Sequence, residues 1–272
     1  MPNVPVEWLS RRVPRRAGAL LTGLLAWLAV AAAPATALPE TFRVEYVVRY
    51  LGAEVGEVVV SLRPVENGNR LLAVEGRTTG SFATLLPVTW TESSQWTLQD
   101  RQPVPLRFRS RLSSEPEKAI DTRFDWTGKT ARVDSGGSRK SVPLTAGVLD
   151  RALAFLTIGR DLAAGKNTFE YPVLEKSRIK RYGGRVVGRE SIVSAAGKVE
   201  TIKVDGQGTR PTTIWVAPTL GFLPVRVHHE AKIGGQIEMD LRRLQWTPAD
   251  RSDAVAGDAP SKPEAVSQRT GG

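Results

Sequence analysis

The sequence predicts a mainly β protein, an antiparallel curved sheet or barrel of roughly ten or more strands with one central helix. Three observations predict it: apolar and polar residues alternate along most of the chain, turn signals recur between the alternating runs, and a single segment changes to helical spacing. In Phe42-Arg43-Val44-Glu45-Tyr46-Val47-Val48-Arg49-Tyr50 every second residue is apolar and most residues between are charged, the period of a half-buried strand. Leu106-Arg107-Phe108-Arg109-Ser110-Arg111-Leu112 sets three arginines on one face and Leu106, Phe108 and Leu112 on the other. Further strands read at 57–63, 71–78, 90–98, 119–126, 167–174, 179–187, 199–204, 212–216, 222–229 and 236–246. Asn67-Gly68, Thr127-Gly128, Gly136-Gly137, Gly183-Gly184, Gly197 and Gly234-Gly235 read as turns. In the last strand the apolar set Ile237, Met239, Leu241 shifts phase to Leu244 and Trp246, which predicts a β-bulge near Arg242-Arg243.

The helical segment runs from Val148 to Leu162, with apolar residues at Leu149, Ala152, Leu153 and Leu156. Gly165 suits the position after its end, and Gly159 offers an earlier stop. A face this apolar must lie on a sheet or plug one end of a barrel. The order is therefore β-half, helix, β-half, and the apolar linker favours one domain over two.

Both ends of the chain differ from this body. Arg11, Arg12, Arg15 and Arg16 precede an apolar run from Ala17 to Ala33, then Pro34 and the small-x-small pattern Ala35-Thr36-Ala37. That order is expected of a cleaved export signal, residues 1–37, and places the mature protein in the periplasm. The apolar run is slightly shorter than the roughly 20 residues of a full span. Ser10-Arg11-Arg12 hints at twin-arginine export, but Pro14 occupies the apolar part of that motif, so general secretion is expected. Residues 247–272, rich in Ala, Ser, Pro, Asp and Gly and without an aromatic residue, read as a disordered tail. Residues 38–246 form the expected single β-rich domain.

Composition narrows the chemistry. With no cysteine there is no disulfide, no thiolate metal site and no cysteine for a lipoprotein anchor. The body holds 31 Lys+Arg against 23 Asp+Glu. For an exported protein, that excess points to an anionic envelope component as partner and away from nucleic acid.

The sequence contains no recognisable catalytic set. His228 and His229 are the two histidines, and as neighbours on a strand they face opposite sides, so they cannot serve one metal or one base. There is no Gly-x-Ser-x-Gly elbow. Gly206-x-Gly208 lacks a following helix, and Gly183 to Gly188 lacks the Lys-Ser/Thr end of a phosphate loop. Asp121 and Asp125 share a strand face, but charged residues on an outer face are ordinary. No enzyme activity, metal or cofactor is expected.

Aromatic residues carry the remaining signal. Trp90 and Trp96 share a face with Glu92 and Ser94 between them, and Phe124 and Trp126 share another with Ile120. Such residues either fill a core or line an apolar cavity. On the second reading Tyr46, Trp90, Trp96, Phe108, Trp126 and Trp215 are the expected ligand-binding residues for a lipid or other apolar small molecule. Arg107, Arg109 and Arg111 are the expected contact with an anionic surface, and the basic run from Lys176 to Arg189 is a second candidate.

Tyr46 with Gly52 and Gly56, the helix around Asp150, Ile214-Trp215-Val216-Ala217-Pro218, Leu223-Pro224-Val225-Arg226 and the final Gly-x-Ile strand together resemble a bacterial exported family, domain of unknown function 3108. The resemblance spans roughly Phe42 to Trp246. It implies a periplasmic β-rich domain and carries no catalytic residues. The two functions that go forward are a non-catalytic binder of an apolar or lipid-like ligand in envelope maintenance, and an envelope interaction protein with a packed core and a basic docking face.

Overall fold

The computed structural model describes residues 39–207, 211–231 and 234–247, so the expected export signal (1–37) and the tail beyond Thr247 lie outside the described residues. Eight strands come first: β1 (Thr41–Tyr50), β2 (Ala53–Pro64), β3 (Arg70–Thr78), β4 (Thr89–Gln99), β5 (Gln102–Leu112), β6 (Ile120–Asp125), β7 (Thr130–Ser135) and β8 (Ser138–Pro143). A short helix, α1 (Gly80–Leu85), interrupts the β3–β4 connection. Helix α2 (Arg151–Ala163) follows, then β9 (Thr168–Glu175), β10 (Arg178–Ser194), β11 (Gly197–Gln207), β12 (Thr212–Ala217), β13 (Leu223–Glu230) and β14 (Gln236–Thr247).

The described strands make one 14-stranded antiparallel sheet in the order β8-β7-β6-β5-β4-β3-β2-β1-β14-β13-β12-β11-β10-β9. The first and last strands pair at its centre, so the two halves are joined through β1 and β14. The edges are β8 and β9, which do not pair with each other; the sheet is open. Helix α2 touches β3, β4 and β5 as well as the edge strand β9. Strands that far apart in the order can share one helix only if the sheet curls around it.

Each edge is protected differently. Strand β8 is short and exposed, and carries Arg139, Lys140 and Pro143, residues that discourage a further strand. Strand β9 is capped from the chain entering α2: Leu149 N–H donates to the Pro172 carbonyl at 2.9 Å, and Leu174 N–H donates to the Leu149 carbonyl at 2.8 Å.

The expected bulge in the last strand is present. Glu45 pairs with Arg243 and Tyr46 with Leu241, leaving Arg242 as the extra residue. A second bulge corrects the reading of β5. Gln95 pairs with Arg107 and Trp96 with Pro105, so Leu106 is the extra residue and leaves the face of Phe108. Inward-facing positions upstream pass to Pro103 and Pro105, which a bulged strand tolerates. Gly183-Gly184 is also corrected: it lies inside β10, and the β9–β10 turn is at Lys176-Ser177. Strands β7 and β8 had no counterpart in the sequence reading, because β7 offers only Ala131 and Val133 to the core and β8 only Val142.

The helix ends show why α2 forms where it does. Asp150 is its N-cap, accepting from Leu153 N–H at 2.9 Å. Gly159 does not stop the helix and is buried within it. Gly165, at φ +79°, ends it: Gly165 N–H donates to Leu162 O and Lys166 N–H to Asp161 O, both at 2.9 Å, a Schellman motif.

One side of α2 enters the main core, where Leu153 and Val148 are fully buried among Phe42, Tyr46, Trp96 and Phe108. A second apolar cluster, Leu162 with Ile202, Val204, Ile214, Val216 and Val227, lies between the end of α2 and the second half of the sheet.

Candidate functional site

Most of the expected ligand-binding residues are absorbed by the core. Tyr46 is buried and its hydroxyl donates to the Pro224 carbonyl at 2.8 Å, tying β1 to β13; burial raises its pKa. Trp96 and Phe108 are buried in the main cluster, and Trp90 and Trp126 pack against it half-buried. The Trp96 ring lies under the Arg70 guanidinium at 5.6 Å. Trp90 sits over Gly76, where a Cβ would come within 3.0 Å of the indole. Trp126 stacks on Phe124 and donates from Nε1 to the Pro105 carbonyl at 2.7 Å.

Trp215 is also buried in this cluster but is reached from another side of the sheet. Its neighbour Ile214 faces α2, so Trp215 projects from the opposite face of β12. There its Nε1 donates to Glu190, Lys203 lies over the ring at 5.1 Å, and His228 meets it edge-on at 4.7 Å between centroids. The hydrogen bond from Trp215 holds the Glu190 carboxyl below its usual range. The two histidines separate as their adjacency requires: His228 packs on Trp215, while His229 faces the other side and contacts Thr212 Oγ1 at 2.8 Å through Nδ1.

The arginine face is partly neutralised within the sheet. Asp121 takes both a 2.9 Å hydrogen bond from Arg107 Nε and a second bond from its Nη2, and Arg109 stands 3.7 Å away. Arg109 and Arg111 line a shallow groove of about 800 Å³ that also contains Glu117, Asp121, Asp134 and Arg139, a mixed surface. Asp125 accepts from Gly128 N–H at 2.8 Å and shapes the β6–β7 turn. Among the described residues no group of three or more His, Asp or Glu converges to hold a metal ion.

The interior also holds a polar knot at the start of α2. Ser94 donates to Asp150 at 2.6 Å, and Arg151 pairs with Glu92 and donates to Ser110 Oγ at 3.0 Å. The same guanidinium lies over Phe108 at 5.6 Å. These bonds pin α2 to β4 and β5. Burial pushes the Asp150 carboxyl up to about 6, against the hydrogen bonds from Ser94 and the helix backbone.

Because that value is above the ordinary carboxylate range, native Asp150 holds its proton more tightly than the unfolded chain does. Its stabilising contribution is complete below about pH 4 and is lost as pH rises through about 6. Asp150→Asn keeps a capping oxygen but has no charge to bury. Relative to the parent, the variant gains on the order of 2–3 kcal/mol between pH 4 and pH 7. Urea unfolding at both pH values checks this; an equal stability difference at each would refute it.

A cleft of about 890 Å³ lies between α2 and strands β9 to β13. Its helix wall is a single stripe, Arg151, Ala154, Phe155 and Ile158, at the spacing of one helical face. The sheet wall carries Phe169, Tyr171, Val173, Tyr182 and Ile214. Phe169 stacks on Tyr171 at 5.8 Å and fills the space left by Gly184, where a Cβ would be 2.5 Å from the ring. Gly184 pairs with Gly206, so the floor there is backbone. Tyr171 donates to buried Asp161 of α2 at 2.8 Å and holds the walls together. Polar residues gather at the β9–β10 hairpin: Glu175, Lys176, Arg178 and Lys180.

None of the six expected ligand-binding residues lines this cleft. The signal that could have located it is Gly183-Gly184 with Gly206, read in the sequence as a turn and a failed fingerprint: glycines inside strands mark a place where something else approaches the backbone.

The family model for the protein family of unknown function DUF3108 matches residues 42–242. The chain belongs to this family. No curated protein gives a significant match. Among solved structures, a β-barrel-like protein of domain of unknown function DUF1849 from Brucella abortus superposes with a TM-score of 0.54 at 9% identity, covering 77% of this chain and 99% of that one. An exported protein with a YmcC-like fold from Bacteroides fragilis gives 0.31 at 10% identity, covering 78% and 99%. The Brucella structure shares the β-barrel-like fold, and DUF3108 is a family of unknown function. No helix among the described residues is long and apolar enough to cross a membrane.

Proposed function

We propose that this DUF3108 protein is a non-catalytic binding module of the periplasm that takes an apolar or lipid-like ligand in the cleft beside α2. The observation that carries this reading is the cleft itself. Its size falls in the range of about 300–1,000 Å³ typical of small-molecule sites, and Ala154, Phe155, Ile158, Phe169, Val173 and Ile214 give it an apolar stretch beside a charged hairpin. The periplasmic location rests on the order of charge, apolar run and small residues at the N-terminus. The non-catalytic reading is supported by the use of the buried carboxylates Glu92, Asp150 and Asp161 in bonds that hold α2 in place. Docking of an anionic partner on Arg107, Arg109 and Arg111 is the weaker alternative, since Asp121 already engages two of the three.

The test uses the neutral fluorophore N-phenyl-1-naphthylamine, whose emission rises in apolar surroundings. The mature protein is expected to bind it saturably. Phe155→Glu with Ile158→Glu places two charges on half-exposed positions of the cleft wall and weakens binding by about tenfold or more, since each apolar side chain contributes roughly 1.5–3 kcal/mol when covered. Undiminished binding by a folded double variant would end the proposal.

A further inference from the structure

The charge in the cleft is unevenly placed, and its placement selects a ligand. Of the four cations in the lining, Arg151 is neutralised by Glu92 and Lys180 by Glu175, the latter at 2.5 Å. Lys176 and Arg178 form no ion pair among the described residues. Both belong to the β9–β10 hairpin, at one end of the cleft. Away from it, Phe155, Ile158 and Phe169 line an apolar channel with no carboxylate. One end therefore offers two positive charges outside any ion pair, and the helix wall opposite offers hydrocarbon, with the neutral polar Gln207, Thr212 and His229 beyond it.

We infer that the ligand is an acidic amphiphile, a long-chain carboxylate or phosphate, whose head group sits against Lys176 and Arg178 while its chain lies along Phe155, Ile158 and Phe169. The inference rests on the cleft being the binding site and adds the chemical class and orientation of the occupant. A guanidinium and an ammonium together suit either head group, because Arg178 can grip two oxygens and Lys176 can act as a point charge. A neutral amphiphile gains nothing from the two exposed cations, and a cationic one is repelled by them.

The experiment displaces N-phenyl-1-naphthylamine from the mature protein with four amphiphiles of matched chain length, each below its critical micelle concentration. They are a saturated fatty acid, its alcohol, the corresponding lysophosphatidate and a trimethylammonium amphiphile. The fatty acid, the lysophosphatidate or both are expected to compete about tenfold better than the alcohol, with the advantage shrinking as salt rises. The cationic amphiphile competes worst. Lys176→Glu with Arg178→Glu abolishes the preference, read as the ratio of acid to alcohol competition within the same variant. A lead for the fatty acid identifies a carboxylate ligand, and a lead for the lysophosphatidate a phosphate one.

If the fluorophore binds but acids and alcohol compete equally, the inference falls and the cleft reading stands. If the charge-reversed variant keeps the preference, the head group is not held at the hairpin. If the fluorophore does not bind at all, both fall.

Discussion

Arg151→Met is expected to lower the stability of the folded protein by on the order of 3 kcal/mol, the low end of the range for breaking a buried ion pair. Glu92 is only 6% exposed, and without Arg151 its carboxylate keeps one weak contact, Ser110 Oγ at 3.3 Å. The low end applies because the Arg151 side chain retains 39% of its exposure and gives up less solvation to form the pair. Changing Glu92 to Met and Ser110 to Ala in the same chain removes the stranded charge and its polar neighbour, so the triple variant recovers most of the loss. Urea unfolding of parent, single and triple variants measures both steps. A single variant as stable as the parent would show that Glu92 is not held in the interior by Arg151.

Leu153→Ala is expected to cost about 3–4 kcal/mol, within the range found for deleting a large buried side chain. Leu153 is fully buried, and it lies where α2 meets the core built on β1, β4 and β5. The sheet does not close between β8 and β9, so α2 is what fills its interior. A void at this point weakens the packing of both halves at once. Phe155→Ala, on the cleft side of the same helix and 40% exposed, is the control and costs much less. Thermal and urea unfolding compare the two; equal losses would mean that the helix does not pack on the core through the Leu153 face.

Parity explains most of what was legible in advance. Alternation at Phe42–Tyr50 and along 236–246 located β1 and β14, and the phase shift in the latter located a bulge before any pairing was known. Helical spacing from Val148 to Leu162 and Gly165 bracketed α2 to within a few residues. Elsewhere the same rule misled. Leu106 alternates with Phe108 in sequence, yet a bulge takes it off that face. A bulge is a property of two strands, and the second strand is not adjacent in the code that one reads. Gly183-Gly184 misled for a related reason: a glycine pair signals either a turn or room for a neighbour, and the neighbour here is Phe169 from the next strand.

The candidate site shows the same division. Sequence alone identified large aromatics and strand faces, and from them a class of protein: β-rich, cysteine-free, basic and without a recognisable catalytic set. It could not tell an aromatic that fills from one that lines, since both are apolar residues on an inward face. Tertiary structure decided that. The curled sheet places Trp96 and Phe108 against the packed side of α2, and turns the other side of the helix toward β9 to β13. There Phe169 occupies the space beside Gly184, and the cleft opens next to it along Gly206. The positions of most strands and of the one central helix were thus written in local periodicity, because each depends on residues a few positions apart. The cleft, the partner of each charge and the open edge between β8 and β9 depend on residues brought together from distant strands, and only the folded chain fixes those distances.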